Sequence, residues 1–128
     1  MEIRFLIEPS IAAMAAIRAD ETDIQNILTA CENAEKLLLA NKNHAEKDIA
    51  FHTAIALSSK NIVVPKLVPI INSSIPLIRE SAKFTMRDET IEIHREIADA
   101  IAAHDAVRAH DAMYLHLIYN RKHIKSIN

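Results

Sequence analysis

Residues 48–61, DIAFHTAIALSSKN, place an aspartate and a histidine on a predicted core face of a helix. Asp48 and His52 are four residues apart, so both share a face with Ile55 and Ala56. A buried carboxylate is costly unless it is paired, hydrogen-bonded or bound to a metal. The segment therefore predicts a core helix in which Asp48 and His52 either satisfy each other or share a bound group.

The chain contains no glycine among its 128 residues, whereas an average protein has about 7%. This excludes glycine-rich phosphate loops and makes tight β-hairpins hard to build. The length suits one domain, and the balance of apolar and charged residues is that of an ordinary globular protein. We therefore predict an all-α fold, an antiparallel bundle of six or seven helices joined by short loops.

Helical periodicity divides the chain into six segments. Thr22, with a glutamine three residues later, is the expected N-cap of the second helix, and Asn61 is the expected N-cap of the fourth. Pro9 either starts a new segment or kinks the first helix, and Pro69 and Pro76 should bend the fourth. That bent helix either simply packs on its neighbours or forms one wall of a cavity. The predicted helices span residues 2–18, 22–40, 43–58, 61–84, 88–103 and 105–126.

Several broad classes are disfavoured by composition. No apolar run reaches membrane-spanning length, and the N-terminal residues lack the pattern of a signal peptide. Cys31 is the single cysteine, so an internal disulfide is excluded and a reducing, cytoplasmic location is expected. The net charge of −2 gives no general attraction to nucleic acid or to a membrane surface.

Three of the seven histidines, His52, His94 and His116, fall on apolar faces of three different helices. Together with Asp48 they could bind one divalent cation, because imidazole and carboxylate are both good ligands for such ions. Two other readings remain open on spacing alone: separate histidines satisfied in the core, and an acid–base catalytic pair. His44 lies one turn before Asp48 and is expected to be exposed. The other histidines lie near helix ends or on mixed faces, at positions His104, His110 and His123.

Four stretches, in this order, resemble the FCD domain, the ligand-binding domain of the FadR subfamily of GntR transcriptional regulators. They are RFLIEPSIAAMAA at 4–16, DIAFHTAIALSSKN at 48–61, IHREIADAI at 93–101 and MYLHL at 113–117. The resemblance covers essentially the whole chain and implies a helical bundle that senses a small molecule.

The resemblance also implies a metal site in the pocket. Its ligands in this chain would be Asp48, His52, His94 and His116, holding a divalent transition metal such as Zn, Ni, Fe or Mn. The effector would be a small carboxylic or hydroxy acid that reaches the metal. Members of the family pair through helix surfaces, so a homodimer is expected.

Two further residues match the family more loosely. Arg4 corresponds to a pocket arginine that faces the acid end of the effector, and its alternative role is an i,i+4 pair with Glu8 on the surface. Asn61 either reaches the pocket or is a plain N-cap.

We expect residues 1–128 to form one effector- and metal-binding sensor domain. Full regulators of this family contact DNA through an N-terminal winged helix-turn-helix, to which nothing in this chain corresponds. We therefore expect no DNA binding by the chain alone and no enzymatic activity. The alternatives are a helical-bundle metalloenzyme acting on a small acid or ester, and a bundle that a metal merely staples together.

Overall fold

Six α-helices form the part of the chain that the computed structural model describes, residues 2–82 and 87–127. Side chains are described for residues 2–73 and 87–122. No strand occurs within these ranges, so the all-α prediction is confirmed. The helices are α1 (Glu2–Arg18), α2 (Glu21–Leu39), α3 (Ala45–Ser58), α4 (Val64–Ala82), α5 (Arg87–Ala102) and α6 (Ala106–Ile127).

Helix α1 packs along α6, and the two run in opposite directions. Near the end of α1, the Ala16 carbonyl accepts a hydrogen bond of 2.8 Å from His104, just before α6 begins. Near the start of α1, the Phe5 ring lies 5.5 Å from the ring of Tyr114, and the Arg121 guanidinium lies 4.6 Å above Phe5. Helices α2, α3 and α5 complete the bundle, with α4 packed on α3 and α6.

The core is built from small and branched apolar side chains. On α1 the buried residues Ala12, Ala15 and Ala16 have no exposed surface, which lets neighbouring helices approach closely. Phe51 on α3 is fully buried and is the one aromatic residue in the described core cluster. Because alanine fills little volume, the bundle interior stays narrow on the α1 side.

Three helices end with a residue in the left-handed backbone region, where glycine is normally preferred. Asn41, Lys60 and His104 have φ angles of 54°, 56° and 57°. After α2, the Lys42 amide donates to the Leu37 carbonyl at 2.9 Å, and the Asp105 amide does the same to Ala100 after α5. These two bonds satisfy carbonyls in the last turns of α2 and α5, so both helices end in a left-handed residue without glycine.

The N-cap predicted for the second helix was wrong. Asp20, not Thr22, caps α2, because its carboxylate accepts the Asp23 amide at 2.9 Å while the Asp23 side chain accepts the Asp20 amide at 3.0 Å. Both cap oxygens belong to acids, which are favourable near the positive end of the helix dipole.

Proline interrupts no helix in the described residues. Pro9 lies buried within the continuous helix α1, and α4 is one helix through both Pro69 and Pro76, whose expected bends do not break it. Helix α4 begins at Val64, three residues later than predicted. Asn61 accepts hydrogen bonds from the Val63 and Val64 amides at 2.8 and 3.3 Å, so it turns the chain into the helix.

Candidate metal centre

Three buried histidines meet in the interior of the bundle. Helix α3 carries His52, α5 carries His94 and α6 carries His116, and each is at most 3% exposed. The three rings meet because each lies on the apolar stripe that packs its helix into the core. The distances between ring centroids are 5.5 Å for His52 and His116, 5.0 Å for His94 and His116, and 6.1 Å for His52 and His94.

One ring nitrogen from each histidine lies within 4.8 Å of those from the other two. Metal–nitrogen bonds to zinc are about 2.0–2.1 Å long, so two nitrogens on one ion are at most about 4.2 Å apart. Small side-chain movements would bring all three nitrogens to a common ion. The cluster could therefore hold a divalent metal ion.

Asp48 lies at the edge of the cluster. It is fully buried, and its Oδ1 is 3.2 Å from Nε2 of His94. The neighbouring Phe51 ring lies 4.7 Å from the His94 ring and shields that side from solvent. Asp48, His52, His94 and His116, the four residues that the sequence nominated, are thus brought together from three helices.

A carboxylate on α1 that was not among the predicted metal ligands also contacts the cluster. Nδ1 of His52 donates a hydrogen bond of 2.8 Å to Oε1 of Glu8. In a neutral ring this leaves the lone pair on Nε2, which is buried and has no hydrogen-bond partner among the described residues. A carboxylate that holds the outer nitrogen of a ligating histidine is a common feature of metal sites, because it sets both the tautomer and the ring orientation.

The other oxygen of Glu8 is held by Arg4. Arg4 Nε donates to Oε2 of Glu8, four residues along the same helix. The predicted i,i+4 pair therefore exists, but its placement on the surface was wrong, since Arg4 is 1% exposed and Glu8 is 3% exposed. The pair is buried because α1 turns this face towards α3 and α6.

Opposing effects act on the pKa of Glu8. Burial alone would raise that pKa, but the nearby His52 and Arg4 outweigh burial and leave the pKa below its usual value. Glu8 is therefore a carboxylate that carries its charge next to a guanidinium and an imidazole. The Arg4–Glu8 pair as a whole is neutral, which makes its burial tolerable.

The remaining nominated residues lie elsewhere. Asn61 donates to the Met14 sulfur at 3.7 Å and accepts the Val63 amide before α4, and no described contact joins it to the histidine cluster. His44 was expected to be exposed, but it is only 5% exposed. It is the N-cap residue of α3, and its carbonyl accepts the Asp48 amide at 2.8 Å.

Two functional candidates were missed by the sequence reasoning, Glu8 and Asn120. Glu8 is 44 residues from His52 in the chain, so no local spacing pointed to their contact. Asn120 lies one turn after His116 on α6 and is 1% exposed. A signal for Asn120 existed, since the i,i+4 step from His116 places it on the same face.

One groove on the described surface lies away from the histidines. It is a wide depression of about 790 Å³ between α2 and α5. Its lining is dominated by acids, Glu35, Asp88, Glu89, Glu92, Glu96 and Asp99. This concentration of negative charge would repel an anionic ligand, so the groove is a poorer site for an organic acid than the histidine cluster.

A family model for the FCD domain matches residues 1–118. The chain belongs to the FCD domain family. This confirms the resemblance noted in the sequence, and the helical bundle agrees with it. No helix in the described part of this FCD domain is long and apolar enough to span a membrane.

Relatives of this FCD domain are transcriptional regulators. The chain is 30% identical over 97% of its length to the HTH-type transcriptional regulator YcbG of Bacillus subtilis, covering 52% of that protein. It is 34% identical over 81% of its length to the galactonate operon transcriptional repressor of Escherichia coli, covering 47% of it. A solved structure of Streptococcus agalactiae GntR superposes with a TM-score of 0.82 at 35% identity, covering 94% of this chain and 56% of that one. The chain thus spans about half the length of these proteins.

Proposed function

We propose that this FCD domain is the effector-sensing part of a GntR/FadR-type transcriptional regulator. In this proposal it binds a divalent transition metal and a small carboxylic or hydroxy acid, and it acts in the cytoplasm as a homodimer. The acid then alters DNA binding by a separate winged helix-turn-helix domain. The observation that carries the proposal is the meeting of His52, His94 and His116, with ring nitrogens within 4.8 Å of one another in the core.

The donor set fits a borderline transition metal. Asp48 and the three imidazoles would be the ligands, and Zn, Ni, Fe and Mn all accept that combination. When bound, such an ion would supply positive charge and coordination positions for carboxylate oxygens. The charges of Arg4 and Glu8 cancel. A divalent ion bound beside the Asp48 carboxylate therefore leaves a net charge of about +1 in the site, which favours one anionic ligand.

Arg4 has a second role in this proposal. Its Nη2 is buried without a hydrogen-bond partner among the described residues, although its Nε is held by Glu8. We assign that nitrogen to the carboxylate of the effector, because a charge-assisted hydrogen bond would satisfy both groups. Asn61 has no part in effector binding in this proposal, and its side chain only turns the chain into α4.

Sensing follows from a difference in affinity. An acid changes DNA binding only if it binds one arrangement of the dimer more tightly than another. We expect the isolated chain to bind the acid without binding DNA, because its net charge of −2 gives no general attraction to nucleic acid. Sedimentation of the purified chain tests the homodimer directly, and a monomer at micromolar concentration would contradict that part.

The test is elemental analysis of the chain purified without chelator or imidazole, with two variants. We expect about one transition-metal ion per wild-type chain, its loss in His94→Ala, and its retention in His110→Ala, which removes an exposed histidine of α6. Absence of metal from the wild type, even after soaking with Zn²⁺ or Ni²⁺, would contradict the proposal.

A thermal-shift screen of the metal-loaded chain with small organic acids separates the alternatives. A sensor is stabilised by its acid and returns it unchanged. A metal that only staples the fold would leave the melting temperature unmoved by every acid. Turnover of an ester would indicate a metalloenzyme; against this, both carboxylate oxygens of Glu8 are already engaged, by Arg4 and by His52.

A further inference from the structure

Three helices each bury one polar side-chain atom that has no hydrogen-bond partner among the described residues. These atoms are Nη2 of Arg4 on α1, Nε2 of His52 on α3 and Oδ1 of Asn120 on α6. Buried polar atoms are nearly always hydrogen-bonded, because leaving one unsatisfied is unfavourable. The proposed function uses the first two, through the acid and the metal, and leaves the Asn120 oxygen unexplained.

Asn120 lies on the same side of the histidine cluster as Arg4. Because α1 and α6 are antiparallel, moving from Glu8 to Arg4 follows the same direction as moving from His116 to Asn120. Each step is four residues, which is about one helical turn or roughly 5–6 Å. Both Glu8 and His116 contact His52. Oε1 of Glu8 is 2.8 Å from Nδ1 of His52, and the ring centroids of His52 and His116 are 5.5 Å apart. Arg4 and Asn120 therefore lie one turn beyond the cluster, on helices packed against each other.

The two atoms call for opposite chemistry. Arg4 Nη2 is a charged donor and suits a carboxylate, whereas Asn120 Oδ1 is an acceptor and suits a hydroxyl. A carboxylate oxygen placed against Asn120 Oδ1 would bring two acceptors together. A ligand that satisfies both atoms must carry an acid group and, separately, a hydroxyl donor.

We infer that Asn120 is a specificity residue that accepts a hydrogen bond from a hydroxyl of the effector, so that the site selects hydroxy acids over the same acids without the hydroxyl. This inference rests on the proposed function, in which Arg4 binds the carboxylate beside the metal. It narrows the effector class from carboxylic acids in general to hydroxylated ones.

The test is isothermal titration of the Zn²⁺-loaded chain with two matched pairs, malate against succinate and 3-hydroxybutyrate against butyrate. Leaving a buried acceptor unpaired typically weakens binding roughly 5- to 150-fold, so each hydroxy acid should bind tighter by about that factor. Because hydroxy acids also chelate metals, the same pairs are titrated into Asn120→Leu, which replaces the side-chain amide by an apolar group of similar size. There the ratio within each pair should fall at least about fivefold, and the ratio that remains is the part due to chelation.

Two further variants separate recognition from structure. Asn120→Asp keeps an acceptor oxygen, so the ratio within each pair should survive while both acids bind more weakly because of the added negative charge. Asn33→Leu makes the same change on α2, where the side chain is half-buried, and should behave as wild type. Asn120→Ala takes the place of the leucine variant if circular dichroism shows the latter to be unfolded.

The outcomes are distinct. Equal binding of both members of each pair by the wild type, or an undiminished preference in Asn120→Leu, would overturn the role of Asn120 while leaving the acid sensor intact. Failure of every acid to bind the Zn²⁺-loaded wild type would overturn the proposed function, and the inference with it.

Discussion

Replacement of Glu8 by glutamine separates two contributions that meet at one side chain. Glu8 neutralises the buried guanidinium of Arg4 and accepts the Nδ1 proton of His52. Glutamine keeps the shape and removes the charge. The variant therefore leaves a buried cation uncompensated and weakens the group that orients His52.

The expected loss of stability is large. Arg4 and Glu8 are 1% and 3% exposed, and removing one partner of a buried ion pair typically costs about 3–5 kcal/mol. A domain of this size is stable by roughly 5–15 kcal/mol, so Glu8→Gln should still fold but should unfold at a much lower urea concentration than the wild type. Urea titration of the metal-free chain in a chelating buffer, followed by circular dichroism, measures this loss without any contribution from metal.

Metal affinity should fall independently. Loss of the group that orients a ligating histidine typically weakens metal binding about 10- to 100-fold. The affinity is measured by competition with a chromophoric chelator at a temperature at which the variant is folded.

A double variant distinguishes the two effects. In Arg4→Met, Glu8→Gln no charge remains buried at this position, so most of the lost stability should return. Metal affinity should stay low, because the His52 contact is still altered. Glu96→Gln, which removes one partner of a half-exposed pair with Arg108, is the control and should change metal affinity little.

If Glu8→Gln changes the free energy of unfolding by less than about 1 kcal/mol, a typical value for an exposed pair, Glu8 does not compensate a buried charge. Recovery of stability and metal affinity together in the double variant would contradict the separate role at the metal site. That result would mean that Glu8 acts on the metal site only through the stability of the fold.

Three further predictions concern the rest of the domain. The two hydrogen bonds from Arg108, at 2.8 and 2.6 Å, lower the pKa of Glu96 below its usual 4.5. The contribution of Glu96 to stability is therefore present above pH 4.5 and is lost as the pH falls through the lowered pKa. The free energies of unfolding of wild type and Glu96→Gln should differ by up to about 1 kcal/mol at pH 7 and converge in acid. A difference that grows in acid would contradict this prediction. Burial, followed by the charge of Glu35, raises the pKa of the Cys31 thiol from 9.0 to about 11. Its reaction with a disulfide reagent at pH 8 should therefore be about 100-fold slower in the folded chain than in the urea-unfolded chain. Equal rates would contradict this prediction. Asp20→Ala should cost about 1 kcal/mol in urea unfolding through loss of the α2 cap, whereas Thr22→Ala should cost much less; the reverse order would restore Thr22 as the cap.

Much of the fold followed from local rules. The apolar spacing on α3, α5 and α6 depends only on helical geometry, so the faces carrying His52, His94 and His116 were predictable from sequence. The absence of glycine disfavoured hairpins and nucleotide loops in the same local way. Helix ends were less predictable, because Asp20 and Thr22 are both good caps two residues apart, and the reciprocal bond to Asp23 decided between them.

Only the tertiary structure decided the surroundings of the histidines. The i,i+4 spacing of Arg4 and Glu8 predicted a surface pair, because spacing carries no information on burial, and packing of α1 against α6 and α3 buried the pair. The contact of Glu8 with His52 joins residues 44 apart, and no periodicity encodes such a distance. The sequence by itself determined which side chains face the core of each helix, because that is a property of one helix. Which of those side chains meet, and which polar atoms are left for a ligand, is a property of how the helices pack.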